Sequence, residues 1–337
     1  NAYMKHTTFK MISRGAACVA AAISATAALC ACAPATPTVK FDDVKPWHDT
    51  GASYERLEYS TAIYDTSKGG EADKRVKIAD GSLAFTLTEH TRAEGTIYYN
   101  ELEMEFSVTY NDSAPEPDRG KTDRISSVTE FMTDSLVASR MTKTVEIAKR
   151  EDTANRSYRL EADYFGTHKA TLTHTGGESE TTETMNIGKD TYYDNETMFF
   201  LARATAIGAK TSTTFRMTNL YQSFDVGKFT NYTMIASGDS DLQSLDIGDF
   251  VKDFGAEAVT ADDGTTSYPL SCYRVNIMIN ADKHGPPYVV HYTEKPFKSD
   301  DKEHKKIPVK ISYSQYAGSK LSVVTEYTLV GCSFDKP

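Results

Sequence analysis

Residues 101 to 110 read Glu-Leu-Glu-Met-Glu-Phe-Ser-Val-Thr-Tyr, and this strict alternation constrains the fold more than any other feature of the chain. Leu102, Met104, Phe106, Val108 and Tyr110 fall on one side of an extended strand. Glu101, Glu103, Glu105, Ser107 and Thr109 fall on the other. A period of two gives a strand with one apolar and one wet face, and it is incompatible with a helix. The glutamates therefore read as a solvated face, not as a catalytic carboxylate pair.

The same phase recurs along the chain. It appears at Met141, Val145 and Ile147; at Tyr158, Leu160, Ala162 and Tyr164; and at Val275, Ile277 and Ile279. Near the C-terminus it returns at Val309, Ile311 and Tyr313, then at Leu321, Val323, Tyr327 and Leu329. Further strands are predicted at 54–64, 82–89, 170–173, 215–224 and 289–293. Asp80-Gly81, Gly176-Gly177, Asp263-Gly264 and Gly285-Pro286-Pro287 supply turn chemistry between them. Polar stretches at 111–121, 176–184 and 298–306 read as loops, the last as a solvated hairpin tip. About a dozen antiparallel strands favour a mainly β fold over an α/β one. The expectation is a single β-rich domain over 53–337, built as a large curved antiparallel sheet forming an unclosed barrel.

One helix interrupts the pattern. Asp194 is a good N-cap, Glu196 places a carboxylate in the first turn, Met198, Leu201 and Ala202 have helical spacing, and Gly208 terminates. With Phe199 and Phe200 the segment is apolar around much of its circumference, so the sheet is expected to wrap over it. A second, shorter helix is predicted from Asp249 to Phe254, ended by Gly255.

The N-terminal segment carries a different signal. Lys5, Lys10 and Arg14 precede an uncharged run from Gly15 to Leu29, the pattern of an export signal. The run is too short and alanine-rich for a permanent span, which needs about 20 strongly apolar residues. Leu29-Cys30-Ala31-Cys32 looks like a lipobox, so residues 1–31 are expected to be removed and Cys32 to be lipidated. A plain signal peptide is the alternative. Residues 32–52, with Pro34, Pro37 and Pro46, read as a spacer. The expected location is the outer face of a bacterial membrane, held by the lipid on Cys32. Because three bases and no acid would leave with the signal, the net charge of −10 would become −13. That excess repels phosphate backbones and argues against a nucleic-acid partner.

Several chemistries lack their usual residues. There is no His-Glu-x-x-His and no Cys-x-x-Cys, so no metal site is expected, and there is no phosphate-cradling glycine loop. No Gly-x-Ser-x-Gly elbow is present. The expectation is a non-enzyme without a cofactor. Cys272 and Cys332 are an even pair in a chain read as exported, which fits a disulfide or two buried thiols.

From the helix onward, the order Tyr193-Asp194, Phe199-Phe200, Leu201-Ala202-Arg203, Cys272-Tyr273-Arg274-Val275 and Ile307-Pro308-Val309-Lys310 resembles an uncharacterised bacterial envelope family over roughly 190–330. That family looks like the LolA and LolB lipoprotein carriers, whose antiparallel sheet forms an unclosed barrel over helices. The resemblance implies an apolar groove for a lipid or another hydrophobic envelope molecule. Its lining would be Phe199, Phe200, Phe215, Met217, Tyr221 and Met234, with Arg203 anchoring a headgroup or merely pairing with a carboxylate of the chain. The same residues suit a filled core. In that case the alternative is a structural or adaptor lipoprotein contacting envelope proteins, with no small-molecule ligand.

Overall fold

The computed structural model describes residues 54–67, 75–91, 98–132, 136–150, 157–164, 169–176, 179–186, 193–204, 212–223, 226–280, 287–300, 302–317 and 320–334. The predicted alternation becomes strands throughout. The first half of the chain gives β1 (Tyr54–Asp65), β2 (Val76–Thr91), β3 (Tyr98–Tyr110), β4 (Thr122–Met132), β5 (Ala138–Glu146), β6 (Tyr158–Asp163), β7 (Lys169–Gly176) and β8 (Ser179–Asn186). A two-residue β9 (Tyr193–Asp194) and a 3-10 turn over Asn195–Thr197 lead into the helix α1 (Met198–Ala204).

The chain then returns through β10 (Ser212–Ser223), β11 (Val226–Leu245), β12 (Val259–Thr260), β13 (Thr266–Ser267) and β14 (Leu270–Ile279). It ends with β15 (Tyr288–Thr293), β16 (Phe297–Ser299), β17 (Lys302–His304), β18 (Pro308–Ala317) and β19 (Lys320–Ser333).

Fifteen of these strands form one sheet in the order β8-β7-β6-β5-β4-β3-β2-β1-β19-β18-β15-β14-β11-β10-β9. The order explains the architecture. From the middle of the sheet the chain meanders outward to β8, reappears at the opposite edge as β9, passes through α1 into β10, and works back until β19 pairs with β1. All pairings in this sheet are antiparallel except β9 with β10, which is parallel. The sheet curls until β6, β7 and β8 lie against β10 and β11, but no ladder joins its two ends among the described residues. The result is the unclosed barrel that the alternation predicts, with the ends meeting along a seam.

The inward phase of every long strand supplies one apolar cluster that also encloses α1. Phe85 sits edge-on to Tyr59, Phe199 and Phe200, with centroids 6.0, 6.1 and 5.8 Å apart, and Phe199 meets Tyr288 at 5.6 Å. Such offset aromatic contacts add to simple area burial. A second cluster fills the seam: Met141, Leu160, Ala162 and Leu172 from one end of the sheet meet Leu220 and Phe229 from the other. At Gly227 an added Cβ would lie 2.6 Å from the His174 Cβ, so only glycine permits this approach of the two ends.

Three local expectations need correction. Asp80-Gly81 is not a turn but lies within β2, where Gly81 pairs with both Thr61 and Val108. A Cβ there would stand 2.0 Å from the Ser107 carbonyl oxygen; the glycine serves a close approach of strands, not a reversal. The polar stretch 176–184 is largely the edge strand β8, whose charges suit an edge with one unpaired side. The 298–306 stretch is a hairpin as read, yet His304 is buried and stacked on Phe334 at 3.5 Å. Two of the capping expectations stand, while Gly208, the expected terminator of the first helix, lies outside the described residues. Asp194 accepts the Glu196 backbone N–H at 2.8 Å, and Gly255, at φ 88°, ends a 3-10 helix over Asp249–Phe254.

Candidate functional site

The residues expected to line a groove are in the core. Phe200, Phe215, Met217 and Met234 are buried, and Phe199 is half-buried against the same cluster. Tyr221 belongs to β10, but its side chain lies outside the described residues, as does Cys32. Arg203 is 1% exposed and is no headgroup anchor. Its Nη1 and Nη2 donate to the two carboxylate oxygens of Glu55 at 2.6 and 3.0 Å, and Nε and Nη2 donate to the Lys305 carbonyl at 3.1 and 2.9 Å. This bidentate pair ties the helix to the start of β1 and to the segment after β17.

Cys272 and Cys332 are both free thiols, which corrects the disulfide expectation. Cys272 lies on β14 and Cys332 on β19, with β15 and β18 between them. Three strand spacings of roughly 4.8 Å exceed the Cα separation of about 7 Å that a disulfide tolerates. Burial pushes both thiols up, Cys272 to about 12, so neither is a nucleophile at neutral pH.

Two sites missing from the sequence reading appear instead. The first is a buried polar cluster where the 3-10 turn meets β4 and β5. The Lys143 Nζ donates to Glu196 Oε1 at 2.6 Å, and the Ser127 hydroxyl donates to Glu196 Oε2 at 2.9 Å. The Tyr164 hydroxyl donates to Asp194 Oδ2 and the Tyr232 hydroxyl to Asn195 Oδ1. Asp194 is pushed up to about 7, first by burial and then by Glu196; the hydrogen bonds from Tyr164 and the Glu196 backbone, with Lys143, oppose the shift. Every one of these contacts is internal to the protein, so the cluster reads as a fastening between elements. Its sequence signal was a polar residue in an apolar phase: Lys143 falls on the inward face between Met141 and Val145, and Ser127 between Ile125 and Thr129.

The second site is a trough of about 530 Å³ on the outward face of β1 to β5, reaching Val330 of β19. Its floor comes from small outward side chains brought into register: Ala84 opposite Glu105, Ser82 opposite Ser107, and Ser126 opposite Thr144. Charges of both signs border it. Arg56 bonds Glu58 at 2.8 Å, donates to Thr86 at 2.9 Å and lies 3.6 Å from Glu105, while Arg124 faces Glu146 across β4 and β5. No group of three or more His, Cys, Asp or Glu side chains among the described residues is arranged to hold a metal. No described helix is long and apolar enough to cross a membrane.

No family model matches the sequence, and no curated protein matches it. Among solved structures the chain is similar to a β-barrel-like protein of the domain of unknown function DUF1849 from Brucella abortus. The identity is 14%, the match covers 83% of this chain and 97% of that one, and the TM-score is 0.46.

Proposed function

We propose that this chain is a non-catalytic extracytoplasmic lipoprotein, tethered to a membrane through Cys32, that engages an envelope protein with the outward face of β1 to β5. One observation carries the choice between carrier and adaptor: the residues that would line a lipid groove are packed side chain to side chain, whereas the outward trough is open. A hydrophobic ligand needs a largely preformed apolar cleft. Phe85, Phe199, Phe200 and Tyr288 fill the space such a cleft would take. The trough has the make-up of a polar interface instead, with small side chains below and Arg56, Glu58, Glu105, Arg124 and Glu146 placed to register a partner's charges.

The test is a photo-crosslinking residue placed at Ser126 or Thr144 in cells, with Lys228, exposed on β11, as control. A discrete protein adduct from the trough positions and none from Lys228 is the expected result. Equal labelling at all three positions, or none at any, would overturn the reading.

A further inference from the structure

The seam differs from the rest of the barrel in how it is closed. Between β8 and β9 the sheet has no hydrogen-bonded ladder among the described residues, and there its ends meet through side chains. Part of that closure is the apolar cluster around Leu160 and Phe229. The other part is the polar cluster, which fastens β9 and its 3-10 turn to β4, β5 and the end of β6. Its charges do not balance. Among the described residues, Asp194 and Glu196, 1% and 9% exposed, face a single ammonium, that of Lys143, itself 1% exposed.

Among the described residues, the other groups that hydrogen-bond or couple electrostatically to Asp194 or Glu196 carry no positive charge: Tyr164 from the end of β6, Tyr232 from β11, Ser127 from β4, Tyr158 from β6 and Tyr288 from β15. Two carboxylates and one ammonium out of water leave one negative charge uncompensated unless a proton is kept.

We propose that the seam is a pH-sensitive latch, shut while the cluster around Asp194 keeps one extra proton and loosened when that proton is released to solvent. The direction follows from linkage. The folded cluster binds a proton that an open or unfolded chain, with Asp194 back at its ordinary 3.8, gives up sooner. Closure is therefore strongest in acid. It weakens as the pH rises from about 4 to about 7 and levels off above that, where Asp194 is ionised in both states. An exported protein takes the pH of its surroundings, so this range is within its reach.

The experiment compares the folding equilibrium of the wild-type chain with that of Asp194→Asn at pH 5.5 and 8.5, by urea denaturation. Asparagine keeps a cap acceptor but cannot titrate. The wild-type constant is expected to fall roughly 30-fold more than the variant's over this range, the ratio that a shift from 3.8 to about 7 implies. In the same pH range, amide exchange corrected for its intrinsic rate is expected to rise in β5, β6, β9 and β10 while β1 and β19 stay protected. Parallel pH profiles for the two proteins, or exchange that rises uniformly, would overturn the proposal. Should Asp194→Asn not fold, Glu196→Gln removes the second negative charge and is expected to flatten the profile in the same way.

Discussion

The inner and outer faces of β1 to β5 are built from the same five strands, residue by alternate residue, and they differ in nearly every respect. Inward, the side chains are mostly large and apolar: Leu57, Phe85, Leu102, Phe106 and Ile125 are buried, and some of the polar exceptions are locked in ion pairs. Asp123, for example, accepts from both Nη1 and Nη2 of Arg150, at 2.7 and 2.9 Å, while Arg150 Nε reaches Asp118 at 2.8 Å. Outward, the side chains are small or charged and form a trough. One phase of the alternation thus serves stability and leaves the other facing outward.

This contrast is broken or sharpened by substitution on each face. The largest effects belong inside. Phe85→Ala removes a ring that meets Tyr59, Phe199 and Phe200 and is expected to cost about 3–5 kcal/mol in urea denaturation. Lys143→Met, which leaves Glu196 buried without its ammonium, belongs in the same range of about 3–5 kcal/mol. Ser127→Ala deletes one hydrogen bond to a charged acceptor and is expected to cost about 1–3 kcal/mol. On the outer face, Arg124→Glu is expected to change stability by less than about 0.5 kcal/mol and to abolish the protein adduct formed at Ser126. A destabilisation by Arg124→Glu as large as that of Ser127→Ala would erase the distinction between the faces. Smallest of all is the thiol readout: Cys272 and Cys332 are expected to resist a thiol reagent in the native protein and to react fully in denaturant.

Much of this division was legible in the sequence. The phase of Leu102 through Tyr110 gave the inner face of β3, and the same reading holds for β6, β14 and β18. The helix start was legible because capping is local: Asp194 and the backbone N–H it accepts are two residues apart. What could not be read was whatever depends on distant partners. Glu196 is 53 residues from Lys143 and 69 from Ser127, and Arg203 is 148 from Glu55. Nothing near Arg203 in the chain distinguishes a ligand anchor from half of an internal ion pair. The expected groove had the same difficulty, since apolar residues on a helix and two strands have one composition whether they surround a space or fill it. Register decides, and register across fifteen strands is a property of the whole sheet. The trough was hidden for the opposite reason: Ser82, Ala84, Ser107 and Ser126 are unremarkable singly and become a floor only when three strands bring them side by side.

On the proposed function the interior is a core and the chain works from its outer face. Native mass spectrometry with organic extraction tests this most directly, on Cys32→Ser protein made without residues 1–31 and purified from a bacterial host. The bare polypeptide mass is expected, with no uptake from added phospholipid or fatty acid. A co-purified lipid that is lost from Phe200→Asp in a folded variant would contradict it and place the binding site inside the barrel.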